Sequence, residues 1–457
     1  MASVRFLAGQ SSVIETCDGA ARIIECRRAL EGYWRRGCGS GWSAQGCRHS
    51  VNSGGYGVLL TVRLAGGYAI LSERIVVVLG AGASFDVDTG STPGTDSEWK
   101  PPLVSSMFEG RESFYGLRRP YKGARRLAQV LHHRAAAGVL DMERELRALA
   151  NSPDSITRRD FLDIPPYLRD VMYNVGLPPG VRDARPGGYV VSPGAYALLL
   201  HELLVSADSE VAFIVMNYDT LLERSLMEYD PESYKFDSFE DYVEPSRKAL
   251  VVKPHGSVNW WAPMRQRVAN LTWHQALDSI SLDDIRSSAA RKFHADEIRA
   301  SHGATAQVDG AQHWMYPLIT APLADKEESD LVCPAEHLEA LSSFMQDCGR
   351  YLFIGTSGFD TDVLAFMARH MPELSIGEFV FGGDGREAQA ANKEARNRIL
   401  RALPRLGPRP PHNVATQETS DTFMYGFASY LLTRRALTLA TLPLDEILGQ
   451  YETDTRE

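Results

Sequence analysis

The stretch that most constrains this chain is an apolar run, Ile75 to Leu79, that ends in the small-residue turn Gly80-Ala81-Gly82-Ala83-Ser84. Five consecutive aliphatic residues before a glycine are typical of a strand buried on both faces of a parallel sheet. Small residues in the turn allow backbone N–H groups to approach a phosphate closely. The sequence therefore predicts a Rossmann-like α/β fold, a doubly wound and mainly parallel sheet, with a nucleotide as ligand.

The dinucleotide-binding pattern Gly-x-Gly-x-x-Gly is incomplete in this turn. Phe85 occupies the position where a third glycine would allow the following helix to pack closely. An ordinary NAD-dependent dehydrogenase is therefore disfavoured.

Three later apolar runs also end in polar or glycine-containing segments. They lead into Asn217-Tyr218-Asp219, His255-Gly256 and Gly355-Thr356-Ser357. Ligands of an open parallel sheet bind beyond the carboxyl ends of its strands. We therefore expect all four segments to line one crevice.

The four segments, in this order, resemble the motifs of the sirtuin catalytic domain, which are Gly-Ala-Gly-x-Ser, Asn-x-Asp, His-Gly and Gly-Thr-Ser. The resemblance spans roughly Arg74 to Phe381. Each motif alone is a common strand-end turn, so the weight lies in the ordered set. The resemblance implies that NAD is the ligand and that the residues contacting it are Gly80, Ala81, Gly82, Ser84, Gly355, Thr356 and Ser357. Asp384, just after the apolar segment ending at Phe381, is a further candidate for the adenosine ribose.

The cysteine pattern departs from that of the sirtuins that deacylate proteins. Those enzymes carry two Cys-x-x-Cys pairs after the histidine, because a structural zinc needs four ligands at short spacing. No such pair occurs among the six cysteines of this chain, Cys17, Cys26, Cys38, Cys47, Cys333 and Cys348. In this respect the chain is similar to the zinc-free bacterial branch, whose members are largely NAD-degrading effectors of antiphage defence. That resemblance implies an NAD hydrolase without zinc or another metal, gated by a homo-oligomer or by an ATPase, Argonaute-type or phage-derived partner.

Cleavage of the nicotinamide–ribose bond requires few catalytic groups. The leaving group departs as a neutral pyridine, so a paired-carboxylate system of the glycosidase type is unnecessary. The reaction needs stabilisation of an oxocarbenium-like sugar, a positioned water and a base. Asn217 can hold the water or ribose, Asp219 can accept from ribose hydroxyls and offset positive charge, and His255 is suited to be the base.

Each of these residues also has a purely structural interpretation. A single histidine at a strand end is more often a structural residue, and Gly355-Thr356-Ser357 can be a plain turn. Asp219 with Thr220 can cap a helix that begins at Leu221. Two other functions therefore stay open, a non-catalytic nucleotide-binding module of a defence complex and an NAD-dependent protein deacylase.

Composition is consistent with a cytoplasmic enzyme. A net charge of −10 argues against a protein that mainly coats nucleic acid. No apolar run approaches the about 20 residues that span a bilayer, so no membrane partner is expected. The absence of a paired cysteine pattern favours a reducing compartment.

The chain divides by composition into three parts. Residues 1–71 lack lysine and proline and show no sustained periodicity, which indicates a disordered extension or a mis-assigned start. A hairpin from Val58–Val62 and Tyr68–Ile70 is the alternative. Residues 72–432 form the predicted catalytic domain, with helical insertions near 115–207 and 266–312, and residues 433–457 form a polar tail.

The composition of residues 1–71 generates a first prediction. We expect a chain that begins at Leu71 to fold and to bind NAD as tightly as the full chain, because the extension supplies no strand that the sheet needs. Thermal unfolding and NAD titration of both forms test this. Insoluble or non-binding truncated protein would show that the extension is structural.

Overall fold

The computed structural model describes the predicted catalytic region and five short strands that precede it. The described residues are 3–6, 12–17, 20–25, 61–64, 67–70, 74–85, 101–103, 107–108, 112–136, 142–173, 194–207, 209–267, 272–277, 291–292, 304–308, 310–321, 331–373, 375–383, 385–408, 422–424 and 426–431. Asp384 and the predicted tail 433–457 lie outside the described residues.

The described chain contains both strands and helices. The strands are β1 (Ser3–Phe6), β2 (Ser12–Cys17), β3 (Ala20–Glu25), β4 (Thr61–Leu64), β5 (Gly67–Ile70), β6 (Arg74–Leu79), β7 (Glu210–Val215), β8 (Ala249–Val252), β9 (Gly256–Arg267), β10 (Arg291–Lys292), β11 (Ala304–Val308), β12 (Ala311–Ile319), β13 (Arg350–Ile354), β14 (Ser375–Val380), β15 (Leu406–Pro408) and β16 (Thr422–Phe423). The α-helices are α1 (Ala81–Phe85), α2 (Glu112–Arg118), α3 (Lys122–Ala136), α4 (Met142–Ala150), α5 (Ser155–Phe161), α6 (Ile164–Tyr173), α7 (Gly194–Leu200), α8 (Leu221–Tyr229), α9 (Trp273–Leu277), α10 (Ala335–Gln346), α11 (Thr361–His370) and α12 (Gly385–Ala402). A π-helical turn, His201–Ser206, continues α7, and Glu240–Tyr242 forms a 3₁₀ turn.

A parallel sheet forms the centre of the fold. Its strand order is β15-β14-β13-β6-β7-β8, with β16 paired to β14 as the seventh strand. Numbered along the chain within this sheet, the six strands lie in the order 3-2-1-4-5-6, which is the doubly wound Rossmann order. The predicted fold class is confirmed.

The two faces of this sheet belong to different hydrophobic cores. Ile75, Val77 and Leu79 of β6 pack in the core that also contains residues of α6, α7 and α8. Val76 and Val78 point the other way and pack with residues of α10, α11 and α12. Alternate side chains of a strand face opposite sides, so the uninterrupted aliphatic run reflects burial on both faces.

A second, antiparallel sheet begins shortly after β8 in the sequence. Its order is β10-β9-β12-β11. The sequence predicted a helical insertion near 266–312, but the described residues there belong mainly to strands, with one five-residue helix, α9. The described part of this interval therefore lacks the predicted helical character, because polar residues on partly exposed antiparallel strands conceal the strand pattern. The described residues of the other predicted insertion, 115–207, are helical.

Gly256 makes the connection between the two sheets possible. It has a φ of +84°, and a Cβ at this position would lie 1.8 Å from the carbonyl oxygen of Leu318 in β12. Any side chain would therefore separate β9 from β12. The constraint holds His255 at the junction of the two sheets.

The strands before residue 71 pair only locally among the described residues. β1, β2 and β3 form an antiparallel sheet, and β4 pairs with β5. The β4–β5 hairpin lies close to the hairpin that the sequence offered as an alternative, with its first strand three residues later. Within the described chain, no helix is long and apolar enough to cross a membrane.

The turn after β6 and the turn after β13 are in direct backbone contact. Gly80 N donates to Ile354 O at 2.9 Å, and Gly82 N donates to Gly355 O at 3.0 Å. Gly355 has a φ of +62°, and a Cβ there would lie 2.2 Å from Ala83 N. The contact therefore requires glycine on both sides.

This contact generates a stability prediction. We expect Gly355→Ala to lower the free energy of unfolding by more than about 3 kcal/mol, because a left-handed backbone penalty adds to a clash with the backbone of the first turn. Urea unfolding measures the loss. The matched control is Gly310→Ala, where φ is +76° but no atom lies within 4 Å of the added Cβ. That variant should lose about 1–2 kcal/mol, and equal losses in both would contradict the close contact.

Candidate functional site

The candidate site lies where the strand order reverses, between β6 and β13. The segments that the sequence singled out follow β13, β6, β7 and β8, four adjacent strands of the parallel sheet. Their carboxyl ends therefore share one edge of the sheet, as predicted. In Rossmann-type sheets, the crevice outside this reversal is the usual ligand position.

The turn Gly80–Ser84 has fewer N–H groups to offer than the sequence suggested. Gly80 N donates to the carbonyl of Ile354 at the end of β13, Gly82 N donates to that of Gly355 in the following turn, and Ala83 N donates to Gly80 O at 2.9 Å. These three donors are already used within the protein. Contact between this turn and a phosphate stays a prediction that rests on Ala81 and on the side chain of Ser84.

Asn217 is held at the site by both of its amide hydrogens. Its Nδ2 donates to Gly80 O at 2.8 Å and to Ser84 Oγ at 2.7 Å. A primary amide has two donors and one acceptor oxygen, so a ligand would meet the Oδ1 atom. This oxygen can accept from a water or a ribose hydroxyl, and the role of Asn217 in catalysis stays a prediction.

Tyr196 extends this network and was not identified from the sequence. Its hydroxyl lies 3.0 Å from Ser84 Oγ, and its ring packs against Phe427. Burial and then the nearby charge of Asp219 raise the pKa of Tyr196 well above its ordinary value. The hydroxyl therefore stays protonated. No sequence signal marks this residue, because a tyrosine in an apolar helix is ordinary core composition.

Asp219 is buried and close to the start of α8. Its Oδ1 accepts from Leu221 N at 3.1 Å, so the predicted capping contact is present through Asp219. Thr220 makes no side-chain cap. The contact orients the carboxylate at the sheet edge, and a contact with ribose hydroxyls stays a prediction.

A fully buried ion pair lies beneath Asp219. Lys253 Nζ donates to Glu223 Oε1 at 2.8 Å and also to the backbone carbonyl of Asp219. The side chains are 0% and 3% exposed. The pair joins the end of β8 to α8 and fixes the backbone on which Asp219 stands. A lysine at the end of an otherwise apolar strand was the sequence signal that could have revealed it.

His255 is buried at the end of the β8 segment. Its Nε2 lies 3.0 Å from Oδ2 of Asp362, and its Nδ1 lies 3.7 Å from Oδ1 of Asp360. Its carbonyl oxygen accepts from Thr320 N at 2.9 Å, which ties it to the end of β12. The two aspartates follow β13 and were missed, because acidic residues at the start of a helix are ordinary caps in sequence.

The segment after His255 is also bonded to the Asn217–Asp219 segment. Val258 N donates to Tyr218 O at 2.9 Å, and Ser257 Oγ donates to the same oxygen at 3.4 Å. The predicted catalytic residues are therefore held in one bonded framework along the sheet edge.

The turn after β13 presents a buried hydroxyl. Thr356 is 4% exposed, and its Oγ1 has no hydrogen-bond partner in the described structure. Ser357 contributes its carbonyl oxygen to Arg398, whose Nε and Nη2 donate to it at 3.0 and 2.8 Å. Because buried polar atoms are normally bonded, the Thr356 hydroxyl marks a position for a ligand or water.

Comparison with known proteins gave matches only among solved structures. No family model and no curated protein matches the chain. The similar solved structures are Sir2 proteins. They include a mutant Sir2 homologue with 2'-O-acetyl ADP ribose (13% identity, 73% of this chain and 94% of that one, TM-score 0.31) and a Sir2 homologue with NAD (12% identity, 73% and 91%, TM-score 0.31). A third is Sir2 with an inhibitor, 2'-O-acetyl-ADP-ribose and a deacetylated peptide (11% identity, 81% and 95%, TM-score 0.31). TM-scores this low carry no weight for function, and the fold class rests on the sheet itself.

The buried ion pair generates a prediction about stability. We expect Lys253→Met to cost about 3–5 kcal/mol of unfolding free energy, because it leaves the Glu223 carboxylate buried without its cation. The double variant Lys253→Met with Glu223→Leu should recover most of this loss, since both charges are removed. Chemical denaturation of the three proteins measures the difference.

The control for this experiment is an exposed ion pair. Arg401 and Glu394 on α12 have side chains 67% and 51% exposed. Arg401→Met should change the unfolding free energy by no more than about 1 kcal/mol. A Lys253→Met loss as small as this would contradict the burial of the pair.

Proposed function

We propose that this chain binds NAD at the carboxyl edge of the central sheet and hydrolyses the nicotinamide–ribose bond, giving nicotinamide and ADP-ribose. The observation that carries the proposal is the 3-2-1-4-5-6 strand order, whose reversal lies between β6 and β13, because dinucleotides bind at such a reversal. The unpartnered Thr356 hydroxyl supports a ligand with hydroxyl or phosphate oxygens at this position.

The reaction balances with water as the only co-substrate. The bond between the ribose C1' and the pyridinium nitrogen breaks, and its electron pair neutralises the nicotinamide ring. The water oxygen bonds to C1', and the water proton passes to a base. No proton donor to the leaving group is needed, so one base and one source of electrostatic stabilisation suffice.

The residues at the sheet edge match these needs. Asn217 offers Oδ1, since its two amide hydrogens are donated to Gly80 and Ser84. The partial negative charge of this oxygen can orient the water and stabilise the cationic sugar. Asp219 supplies a buried carboxylate for ribose hydroxyls, and His255 supplies the base. Each role follows the sequence prediction.

The acceptor is proposed to be water and not an acyl-lysine. The cysteines Cys333 and Cys348 belong to no metal-binding cluster among the described residues; the cluster that could hold an ion there is His255 with Asp360 and Asp362. The interval that holds the zinc ribbon in deacylases is occupied in part by the antiparallel strands β9 to β12. The proposal therefore includes a protein without structural zinc.

The resemblance of the motifs to the zinc-free bacterial branch extends the proposal to biology. Unchecked hydrolysis would deplete cellular NAD, so the enzyme needs a gate. We propose a cytoplasmic antiphage effector gated by a homo-oligomer or by an ATPase, Argonaute-type or phage-derived partner. These points depend on the motif resemblance alone.

Nicotinamide release from NAD tests the reaction. We expect Asn217→Ala and His255→Ala each to reduce cleavage by at least about 10²-fold, the contribution typical of a positioned catalytic group. The product sugar should be ADP-ribose, with no acyl group released from an acyl-lysine peptide. Metal analysis of the purified protein should find no zinc.

Matched controls come from the same residue types on exposed positions. Asn151→Ala after α4 and His133→Ala on α3 should retain wild-type cleavage. NAD binding without cleavage, in the presence of candidate partners, would favour the non-catalytic module. Peptide deacylation in step with nicotinamide release would favour the deacylase, and full activity of both site variants would contradict the assigned residues.

A further inference from the structure

His255 contacts a helix that is remote from it in sequence and in the sheet. β8, which precedes His255, is three strands from β13, which precedes α11. Nevertheless Nε2 of His255 lies 3.0 Å from Oδ2 of Asp362 in the first turn of α11. Both side chains are at most 2% exposed. The contact therefore crosses the carboxyl ends of β6 and β7, which lie between β13 and β8 in the sheet.

Asp362 is locked in place by its other oxygen. Its Oδ1 accepts from Val363 N at 2.9 Å. The first turn of a helix favours a negatively charged carboxylate through the helix dipole. The two oxygens of Asp362 thus have separate partners, one in the backbone of α11 and one in the imidazole ring.

The contact bears on which ring nitrogen carries the proton. A carboxylate in its ionised form only accepts hydrogen bonds, and with Asp362 in that form Nε2 of His255 would be the donor. In a neutral imidazole the other nitrogen, Nδ1, then carries the lone pair. Nδ1 lies 3.7 Å from Oδ1 of Asp360, beyond hydrogen-bond distance.

A shared metal ion explains these contacts less well. The three residues have ligand atoms within 4.8 Å of one another. However, Asp362 lies nearest Nε2 of His255, and Asp360 lies nearest Nδ1. The in-plane directions in which these two ring nitrogens could bind an ion diverge. A single ion can use only one of them. The 3.0 Å contact fits an imidazole whose Nε2 hydrogen is bonded to Asp362, while Asp360 lies beyond hydrogen-bond distance of Nδ1.

We propose that Asp362 is a positioning residue for His255: it accepts the Nε2 proton and so presents the Nδ1 lone pair as the base toward the water. The proposal rests on the hydrolysis proposed above for the role of that base. The tautomer itself is a property of the protein without substrate, and it is tested separately.

The direct test is the tautomer of His255, read from ¹⁵N chemical shifts of histidine-labelled protein. His255→Gln identifies the signal by its loss from the spectrum. The wild type should show the Nε2–H form. In Asp362→Asn, the amide oxygen should keep the bond to Val363 N, which turns the NH₂ group toward Nε2. That donor would favour the Nδ1–H form and remove the lone pair from Nδ1.

The activity test uses the same variant. Asp362→Asn should lower kcat for NAD cleavage on the order of 10²–10⁴-fold, as expected when a catalytic imidazole is held in the wrong tautomer. KM and the Kd for NAD should change less than about threefold, since Asp362 is not proposed to touch the nucleotide. The matched control is Asp360→Asn, the same chemical change two residues earlier, which should keep the Nε2–H form.

Several outcomes would overturn the positioning role. An Nδ1–H tautomer of His255 in the wild type, assigned with the His255→Gln spectrum, would do so whatever the behaviour of Asp362→Asn. So would an unchanged kcat in Asp362→Asn, or a loss confined to NAD affinity. A stoichiometric metal ion that Asp362→Asn releases would replace the proposal with a metal site. Absence of NAD cleavage by the wild type would instead contradict the proposed function and leave the tautomer result standing.

Discussion

The candidate site depends on one backbone contact, between the turn after β6 and the turn after β13. Gly82 and Gly355 meet without side chains, and the bond from Gly82 N to Gly355 O closes the two turns on each other at 3.0 Å. Gly80 in turn accepts from Asn217. The same contact that joins two adjacent strands of the sheet therefore sets the position of the first predicted catalytic side chain.

A buried ion pair, Lys253 with Glu223, likewise fixes the backbone near the ends of β7 and β8. A lysine that is 0% exposed is costly unless it is paired, and Lys253 is paired with Glu223 and bonded to the carbonyl of Asp219. This pair is weak support for stability in itself. Its consequence is geometric, because Lys253, two positions before His255, holds the backbone of Asp219 against the end of β8.

More of the fold than of the candidate site could be predicted from the sequence. The aliphatic run of β6 and the three later runs identified the parallel sheet, because burial on both faces leaves an uninterrupted apolar sequence. The second sheet escaped prediction, since β11 and the first half of β12 mix polar and apolar residues on partly exposed strands. The partners Tyr196, Glu223 and Asp362 escaped for another reason. Each meets its site residue only through tertiary structure, and neither residue type nor spacing distinguishes it from an ordinary core or cap residue.

Two different parts of the molecule orient the two side chains that the proposed hydrolysis requires. Asn217, which would face the sugar, is fixed by the β6 turn through Gly80 and Ser84. His255, which would take the proton, is fixed by α11 through its ring and by the end of β12 through its carbonyl. The side chains proposed for nucleotide contact and for proton transfer are thus oriented by different side-chain bonds, although their backbone segments are bonded to each other. A change in the position of the antiparallel sheet relative to α11 would act on the imidazole first, because the side chain of Asn217 is bonded to Gly80 and Ser84 after β6 and not to the antiparallel sheet.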